Sequence, residues 1–267
     1  MQQKRLNRIL GITLAITLPV TIILFIVCTA MALSGSGINP SSIRTIDDNF
    51  ANVETLEVSK LVDNVEIIAA DVKDVHVQYD GYSDITTKYN EATKTLELKS
   101  DPTIGMGIIN GGFKFNFFKW NHAGTLTITV PKTLTYFSSS DIVGNMTISG
   151  LSLENLKLES GVGNTTMENI TVDNNASITG GVGNIDIIGL TAETLKIRGG
   201  IGNQSFENIT VSGTSTIDAG IGNIYITDSK LNILTGSLGI GNLDLNGTTI
   251  EQNKLKSGIG NIDWADE

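Results

Sequence analysis

The sequence "GVGNIDIIGLTAETLKIRGGIGN", residues 181–203, contains one full period of a repeat that runs through the C-terminal half of the chain. A glycine-asparagine pair stands at each end of this period, and the residues between them largely alternate between apolar and polar. The pair occurs seven times, at intervals of 19 or 20 residues. A fixed short period of this kind indicates an architecture built from stacked units. The asparagines of the seven pairs are Asn145, Asn164, Asn184, Asn203, Asn223, Asn242 and Asn261.

The alternation within each unit predicts short strands with one buried face, because successive side chains of a strand point to opposite sides. A unit of about 20 residues cannot enclose a core alone, so the units are expected to stack. The predicted fold is therefore all-β: a single-stranded parallel β-solenoid with 19–20 residues per coil, regular over residues 141–267.

The glycine-asparagine pair is interpreted as a corner of each coil, since both residues tolerate left-handed backbone conformations. Stacked asparagines are expected to point inward and to form a ladder of hydrogen bonds between their side-chain amides. A ligand-binding role for the same residues is the alternative. Upstream, "LEVSKLVDNVEI", residues 56–67, places Asn64 at the corner of a first coil, with Asp63 in place of the glycine.

Residues 51–140 are predicted to form an irregular β cap that includes this first coil, because the motif is absent between the corners at Asn64 and Asn145. Strands are expected over residues 75–79, 95–98 and 126–130. Residues 34–50, which contain Ser, Gly and Pro40, are predicted to form a linker.

One stretch of the cap, "GGFKFNFFKWNH" at residues 111–122, is rich in aromatic residues. It fits an amphipathic strand or hairpin that covers the first coil. The alternative is an exposed apolar lip that contacts a partner or the outer leaflet of a membrane. The candidate contact residues are Phe113, Phe115, Phe117, Phe118 and Trp120.

Residues 9–33 carry no charge and are long enough to cross a bilayer as a helix. Lys4, Arg5 and Arg8 precede this run, so the positive-inside rule places residues 1–8 in the cytoplasm and the C-terminal domain outside the cell. We expect a single-pass protein of the cell membrane, with cleavage of the helix near Ala32 as the alternative. The only cysteine, Cys28, lies within this run.

After residue 33 the chain has 15 basic and 28 acidic residues, a net charge of −13. This balance argues against nucleic acid as a partner, because nucleic-acid binding requires a basic surface. The two histidines, His76 and His122, lie outside the repeats, and no catalytic, metal-ligand or phosphate-loop spacing is present. The glycines match neither the calcium-binding nonapeptide nor the dinucleotide loop. The sequence therefore predicts no catalytic residue, metal or cofactor.

Together with the N-terminal apolar run, three segments carry a resemblance: "VEIIAADVKDVHVQY" at residues 65–79, "LTITVPKTL" at residues 126–134, and the coils bearing "GVGN" or "GIGN". The chain resembles the bacterial putative-adhesin family of β-strand-repeat proteins, formerly a domain of unknown function. The resemblance covers roughly residues 50–267 and implies a surface-exposed β-solenoid, often in Gram-positive bacteria and sometimes associated with envelope-stress regulation. It implies no catalytic residues.

The function expected from the sequence is that of a non-enzymatic, extracytoplasmic interaction module with a sensing or scaffolding role in the cell envelope. Its partner would be an envelope protein or a glycan. The alternative is a surface adhesin that binds an external glycan or matrix protein.

Overall fold

The computed structural model describes residues 43–81, 83–100, 124–256 and 258–265. These residues form an all-β structure with a solenoid of about 6 turns. The strands are β1 Arg44–Phe50, β2 Thr55–Ser59, β3 Asn64–Ala70, β4 Val75–Gly81, β5 Ile85–Asn90, β6 Thr95–Ser100, β7 Thr125–Pro131, β8 Tyr136–Val143, β9 Met146–Ser149, β10 Ser152–Val162, β11 Thr165–Thr179, β12 Ile185–Arg198, β13 Gln204–Glu207, β14 Thr210–Asp218, β15 Ile224–Thr227, β16 Lys230–Ser237, β17 Leu243–Asn246, β18 Thr249–Lys256 and β19 Ile262–Ala265.

Each strand of the repeat region pairs in parallel with its copy one coil away. Ile187 of β12, for example, is in register with Met167 of β11 and Phe206 of β13. A coil contributes segments to three such stacks: one before the corner, one after it, and a short third segment of two or three residues. The predicted parallel β-solenoid is confirmed for this part of the chain.

The core of the solenoid is filled by the inward-facing residues of all three stacks. At the third position after each corner, the side chains from Ile148 to Leu245 are buried. Six positions before a corner, Leu158, Ile178, Ile197 and Ile217 are buried as well. Because equivalent residues lie directly above one another, each coil extends the same apolar column.

The N-terminal part of the structure is more regular than the irregular cap predicted from the sequence, because two of its strands continue the parallel stacks of the solenoid. β6 and β7 pair in parallel with β2 and β3, so these two strands contribute a further layer to the stacks below the first coil. β2 and β3 in turn pair with β8 and β9. The apolar alternation of this layer is intact, but 24 residues of sequence separate its two strands and contain no glycine-asparagine pair. The repeat motif is therefore absent where the solenoid geometry persists.

Antiparallel strands cover this end of the solenoid. β4 pairs with β7 and with β1, and β5 pairs with β6. The predicted linker over residues 34–50 is therefore wrong for residues 44–50, which form β1. Ile46 and Phe50 lie four positions apart on the same side of that strand and pack against the core, and the polar residues between them obscure this spacing in the sequence.

No helix in the described parts of the chain is both long and apolar enough to span a membrane. The predicted tail over residues 1–8, the predicted membrane helix over residues 9–33 and the aromatic stretch lie outside the described residues. So does the part of the predicted linker before residue 43.

Candidate functional site

The corner glycine is required by close approach between successive coils. Gly183 has a φ of +146°, and a Cβ added there would lie 2.0 Å from the carbonyl oxygen of Gly163 in the preceding coil. No side chain fits that distance, and the conformation itself disfavours residues with a Cβ. The same combination holds at all seven corners that have a glycine: Gly144, Gly163, Gly183, Gly202, Gly222, Gly241 and Gly260.

The asparagine after this glycine joins each coil to the next through its side-chain oxygen. The backbone N–H of Asn184 donates to Oδ1 of Asn164 at 3.0 Å, and the N–H of Asn203 donates to Oδ1 of Asn184 at 3.0 Å. The chain turns at this point, so Oδ1 supplies the acceptor that a strand ladder would otherwise provide. Bonds of the same kind link all eight corner asparagines: Asn64, Asn145, Asn164, Asn184, Asn203, Asn223, Asn242 and Asn261.

The predicted inward orientation of these asparagines is wrong. Asn64 and Asn223 are half-buried, and the other six are exposed. Six further corner bonds have the form seen between Asn164 and Asn184, with a backbone donor rather than a side-chain amide. The glycine just before brings the two backbones so close that the asparagine side chain can lie flat against the neighbouring coil from outside. The ladder thus occupies the surface without the amide-to-amide bonds expected from the sequence.

A second corner, which the sequence prediction missed, lies five residues after each asparagine from Asn145 to Asn242. Its φ values are positive: +54° at Asn169, +73° at Gly189 and +55° at Asn208. The signal was present in the residue types, because only glycine, asparagine and aspartate occupy this position in these six coils, and these residues adopt the left-handed conformation most readily. The equivalent residues are Gly150, Asn169, Gly189, Asn208, Asp228 and Gly247.

In the regular repeats, from the coil of Asn145 onward, the strands that follow the corners present one acidic sheet surface, which we call the acidic face. Its outward residues alternate with the buried core positions, and among them are five carboxylates but no lysine or arginine. Asp244 and Asp263 lie in register on neighbouring strands, an arrangement of like charges that is unfavourable in an isolated sheet. The five carboxylates are Glu168, Asp186, Glu207, Asp244 and Asp263.

The strands that precede the corners carry most of the positive charge of the repeats, and we call this surface the basic face. Its cations are exposed and are accompanied by only two carboxylates, Glu159 and Asp218. One cation, Lys157, forms an ion pair with Glu159 at 2.9 Å on the same face. The five cations are Lys157, Lys196, Arg198, Lys254 and Lys256. The third segments form a narrow surface, the third face, on which Thr171, Thr191 and Thr210 are exposed.

One carboxylate is buried at the cap end of the solenoid. Asp63 occupies the glycine position of the first coil, and its Oδ1 accepts hydrogen bonds from the Gly124 N–H at 2.9 Å and the Tyr79 hydroxyl at 3.1 Å. Oδ2 has no hydrogen-bond partner among the described residues. Burial raises the pKa of Asp63 above its ordinary value, while the hydrogen bonds from Gly124 and Tyr79 offset part of the rise.

The described residues contain no group of three or more His, Cys, Asp or Glu side chains that could hold a metal ion. His76 lies in β4 at the surface, 2.6 Å from Oδ1 of Asp47 in β1. Its position at the cap, away from the stacked corners, separates it from both charged faces of the repeats. The residues that the sequence singled out for partner contact, Phe113 to Trp120, cannot be placed relative to these faces, since they lie outside the described residues.

A family model described as "Toastrack DUF4097" matches residues 53–267, which is most of the chain. The chain belongs to the Toastrack family. The match begins just before β2 and includes every coil, so the Toastrack domain comprises both the cap strands after β1 and the regular solenoid. No curated protein matches the chain.

Solved structures similar to this chain have low sequence identity to it, and one of them has a TM-score above 0.5. A protein from Bacteroides fragilis described as a putative adhesin is 21% identical, with 84% of this chain and 98% of that chain covered and a TM-score of 0.59. A putative adhesin from Parabacteroides merdae is 13% identical, covering 84% and 97%, with a TM-score of 0.44. A putative lipid binding protein from Parabacteroides distasonis is 14% identical, covering 85% and 98%, with a TM-score of 0.41. These likenesses concern the fold.

Proposed function

We propose that this chain is a non-enzymatic interaction module of the cell envelope with a sensing or scaffolding role. The observation that carries the proposal is the acidic face, an exposed sheet surface on which Glu168, Asp186 and Glu207 come from three successive coils. Parallel pairing and the corner bonds hold these coils in fixed register, so the carboxylates are presented at fixed spacing. A preorganised surface of this kind binds a partner at a lower entropic cost than a flexible one.

The proposal includes a single-pass anchor over residues 9–33, with residues 1–8 in the cytoplasm and the solenoid outside the cell. The charge-free run and the basic residues before it support this orientation. Only ten residues separate position 33 from Arg44, the first residue of β1. About 6 turns, at roughly 4.8 Å each, give the regular part a length of about 30 Å. A reach this short favours a partner close to the membrane, and the acidic body disfavours nucleic acid.

A second candidate function is that of a surface adhesin for an external glycan or matrix protein. It is supported by the fold shared with the Bacteroides fragilis protein described as a putative adhesin. Under this alternative the partner would lie beyond the cell, and the short reach of the solenoid would be a disadvantage.

Chemical cross-linking on intact cells, followed by capture of the full-length chain, tests the proposal. We expect a specific membrane or envelope protein to be recovered with the unaltered chain and to be lost with the double variant Glu168→Lys/Glu207→Lys. Glu193→Lys, which reverses an exposed charge on the third face, is the matched control and should retain the partner. Recovery of no envelope protein, with binding only to added glycan or matrix, would refute the envelope role and leave the adhesin.

A further inference from the structure

The two charged faces of the solenoid complement one another. Outward residues of the acidic face contribute five carboxylates and no cation, whereas those of the basic face contribute five cations and two carboxylates. Both surfaces are built from strands with side chains at the same coil spacing. A face of each kind can therefore meet as two stacked sheets, which pack about 10 Å apart.

Every cation of the basic face has a carboxylate of the acidic face at its own level along the solenoid axis. The basic face carries cations in only three coils, those of Asn164, Asn203 and Asn261, where they lie five or seven residues before the asparagine. The acidic face carries a carboxylate in each of these same coils, two or four residues after the asparagine. The matched sets are Lys157 with Glu168, Lys196 and Arg198 with Glu207, and Lys254 and Lys256 with Asp263.

Apart from the Lys157–Glu159 ion pair, neither surface neutralises its charge among the described residues. Lys196 and Arg198 form no ion pair with any described residue, and neither do the acidic-face carboxylates. Asp244 and Asp263 stand side by side without a cation between them. Contact with a basic surface would relieve this repulsion, and opposite charges that meet at an interface also fix its register.

We propose that the acidic face of one copy of this chain binds the basic face of a second copy, side by side, with the two solenoid axes parallel and the coils level. This inference rests on the proposed function, because it names a second copy as a partner of the acidic face. The parallel, level arrangement follows from the charge levels, since an antiparallel arrangement would not bring all three matched sets together. It is also the arrangement that two copies anchored in one membrane by the same segment would adopt.

The experiment uses the full chain in cell membranes, as two differently tagged copies with Cys28→Ala to remove the native thiol. One copy carries Thr194→Cys on the basic face and the other carries Ser205→Cys on the acidic face, both in the coil of Asn203. A thiol cross-linker that spans about 10 Å matches the expected sheet separation. Thr191→Cys, on the third face, replaces Thr194→Cys in the matched control.

We expect the yield of the mixed dimer from Thr194→Cys and Ser205→Cys to exceed that of the Thr191→Cys control by about fivefold or more, and to fall as salt is added, since exposed charges are screened. Lys196→Glu in the first copy, or Glu207→Lys in the second, should lower the yield to the control value. Both changes together, in opposite copies, should restore it. Restoration separates a contact between faces from misfolding, because two damaged chains would not recover.

Equal yields from Thr191→Cys and Thr194→Cys would overturn the inference, and so would a paired charge reversal that cross-links no better than either single change. The proposed function fails separately. If Glu168→Lys/Glu207→Lys removes an envelope protein in the cell experiment while copy-to-copy yields stay at the control value, the second copy is the wrong partner and the interaction role stands.

Discussion

Replacing Ser215 with alanine should make this protein more stable. Ser215 lies in β14 with no exposed surface, and its hydroxyl has no hydrogen-bond partner among the described residues. In the coils on either side, the residues in register with it are Leu195 and Leu234. A polar group therefore stands in the apolar column where its neighbours are leucines.

The surroundings give no sign that water satisfies this hydroxyl. A cavity of about 10 Å³ adjoins Ser215, and its other lining residues are all apolar. That volume is about the smallest that holds a water molecule, and a stable buried water needs two or more polar partners. Among the residues that line the cavity, Ser215 is the one with a polar side chain. A buried hydroxyl without a partner costs roughly 1–3 kcal/mol, so Ser215→Ala should raise the free energy of unfolding by about 1–2 kcal/mol.

Urea unfolding of the full chain, followed by circular dichroism, measures this change. With a slope of about 2–3 kcal/mol per molar urea, the midpoint of Ser215→Ala should lie roughly 0.5 M above that of the unaltered protein. Ser212→Ala is the control, because Ser212 is exposed on the same strand and its replacement should leave the midpoint unchanged within error. Equal slopes are required before the midpoints are compared.

A midpoint that falls for Ser215→Ala would refute the reasoning, since it would mean that the hydroxyl makes a favourable bond in the folded protein. Ser215→Val provides a second check. Valine adds more volume than the small cavity accommodates, so this variant should gain less stability than alanine or lose stability outright. If valine stabilises more than alanine, the column is more loosely packed than its geometry indicates.

Three further changes test the corners and the buried carboxyl. Gly202→Ala should lower the free energy of unfolding by at least about 3 kcal/mol, because its Cβ would lie 2.0 Å from a backbone oxygen. Gly150→Ala, at a glycine with positive φ but no close contact, should lower it by only about 1 kcal/mol. Equal losses in urea midpoint would contradict the role given to close approach. Asn184→Ala should lower the free energy of unfolding by about 0.5–1.5 kcal/mol, and Asn184→Asp should lower it less because aspartate keeps the acceptor oxygen. If both variants have the same stability as an Asn174→Ala control at an exposed site, the corner bond does not stabilise the fold. Burial raises the pKa of Asp63 above its ordinary value of 3.8, so the folded state binds the proton of this carboxyl more tightly than the unfolded state does. The contribution of Asp63 to stability therefore falls as the pH rises from 3.8 through the raised pKa. The stability of Asp63→Asn relative to the unaltered protein should therefore increase between pH 4 and pH 8, and a difference independent of pH would argue that the carboxyl is not buried in solution.

The parts of the fold that could be predicted from sequence are those in which each coil repeats the same environment. The column from Ile148 to Leu245 recurs because every coil needs a large apolar residue at that point, so one period predicts the next. The corner glycine was recognised for the same reason. The orientation of the asparagine could not be predicted, because a residue that repeats at a corner has the same sequence signature whether its side chain points inward or lies along the surface.

The cap could not be predicted to the same extent. β6 and β7 form a coil layer, but 24 residues separate them in the sequence, and the pairing of β6 with β2 joins residues that lie far apart in sequence. Long-range pairing of this kind leaves no local pattern. β1 was missed because its inward residues, Ile46 and Phe50, are separated by acidic and amide side chains that are typical of a linker.

The charged faces show where a repeat protein of this kind is free to vary. Inward positions are fixed by the column and corner positions by close approach, so only the outward residues can change without disturbing the stack. Random variation at such positions would scatter both signs of charge over all faces. Instead, lysine and arginine are absent from the outward positions after the corners, while five cations gather before them. Because core and backbone packing do not require this separation, we attribute it to contacts made outside the chain, which is why reversing Lys196 and Glu207 together is the decisive test of the copy-to-copy contact.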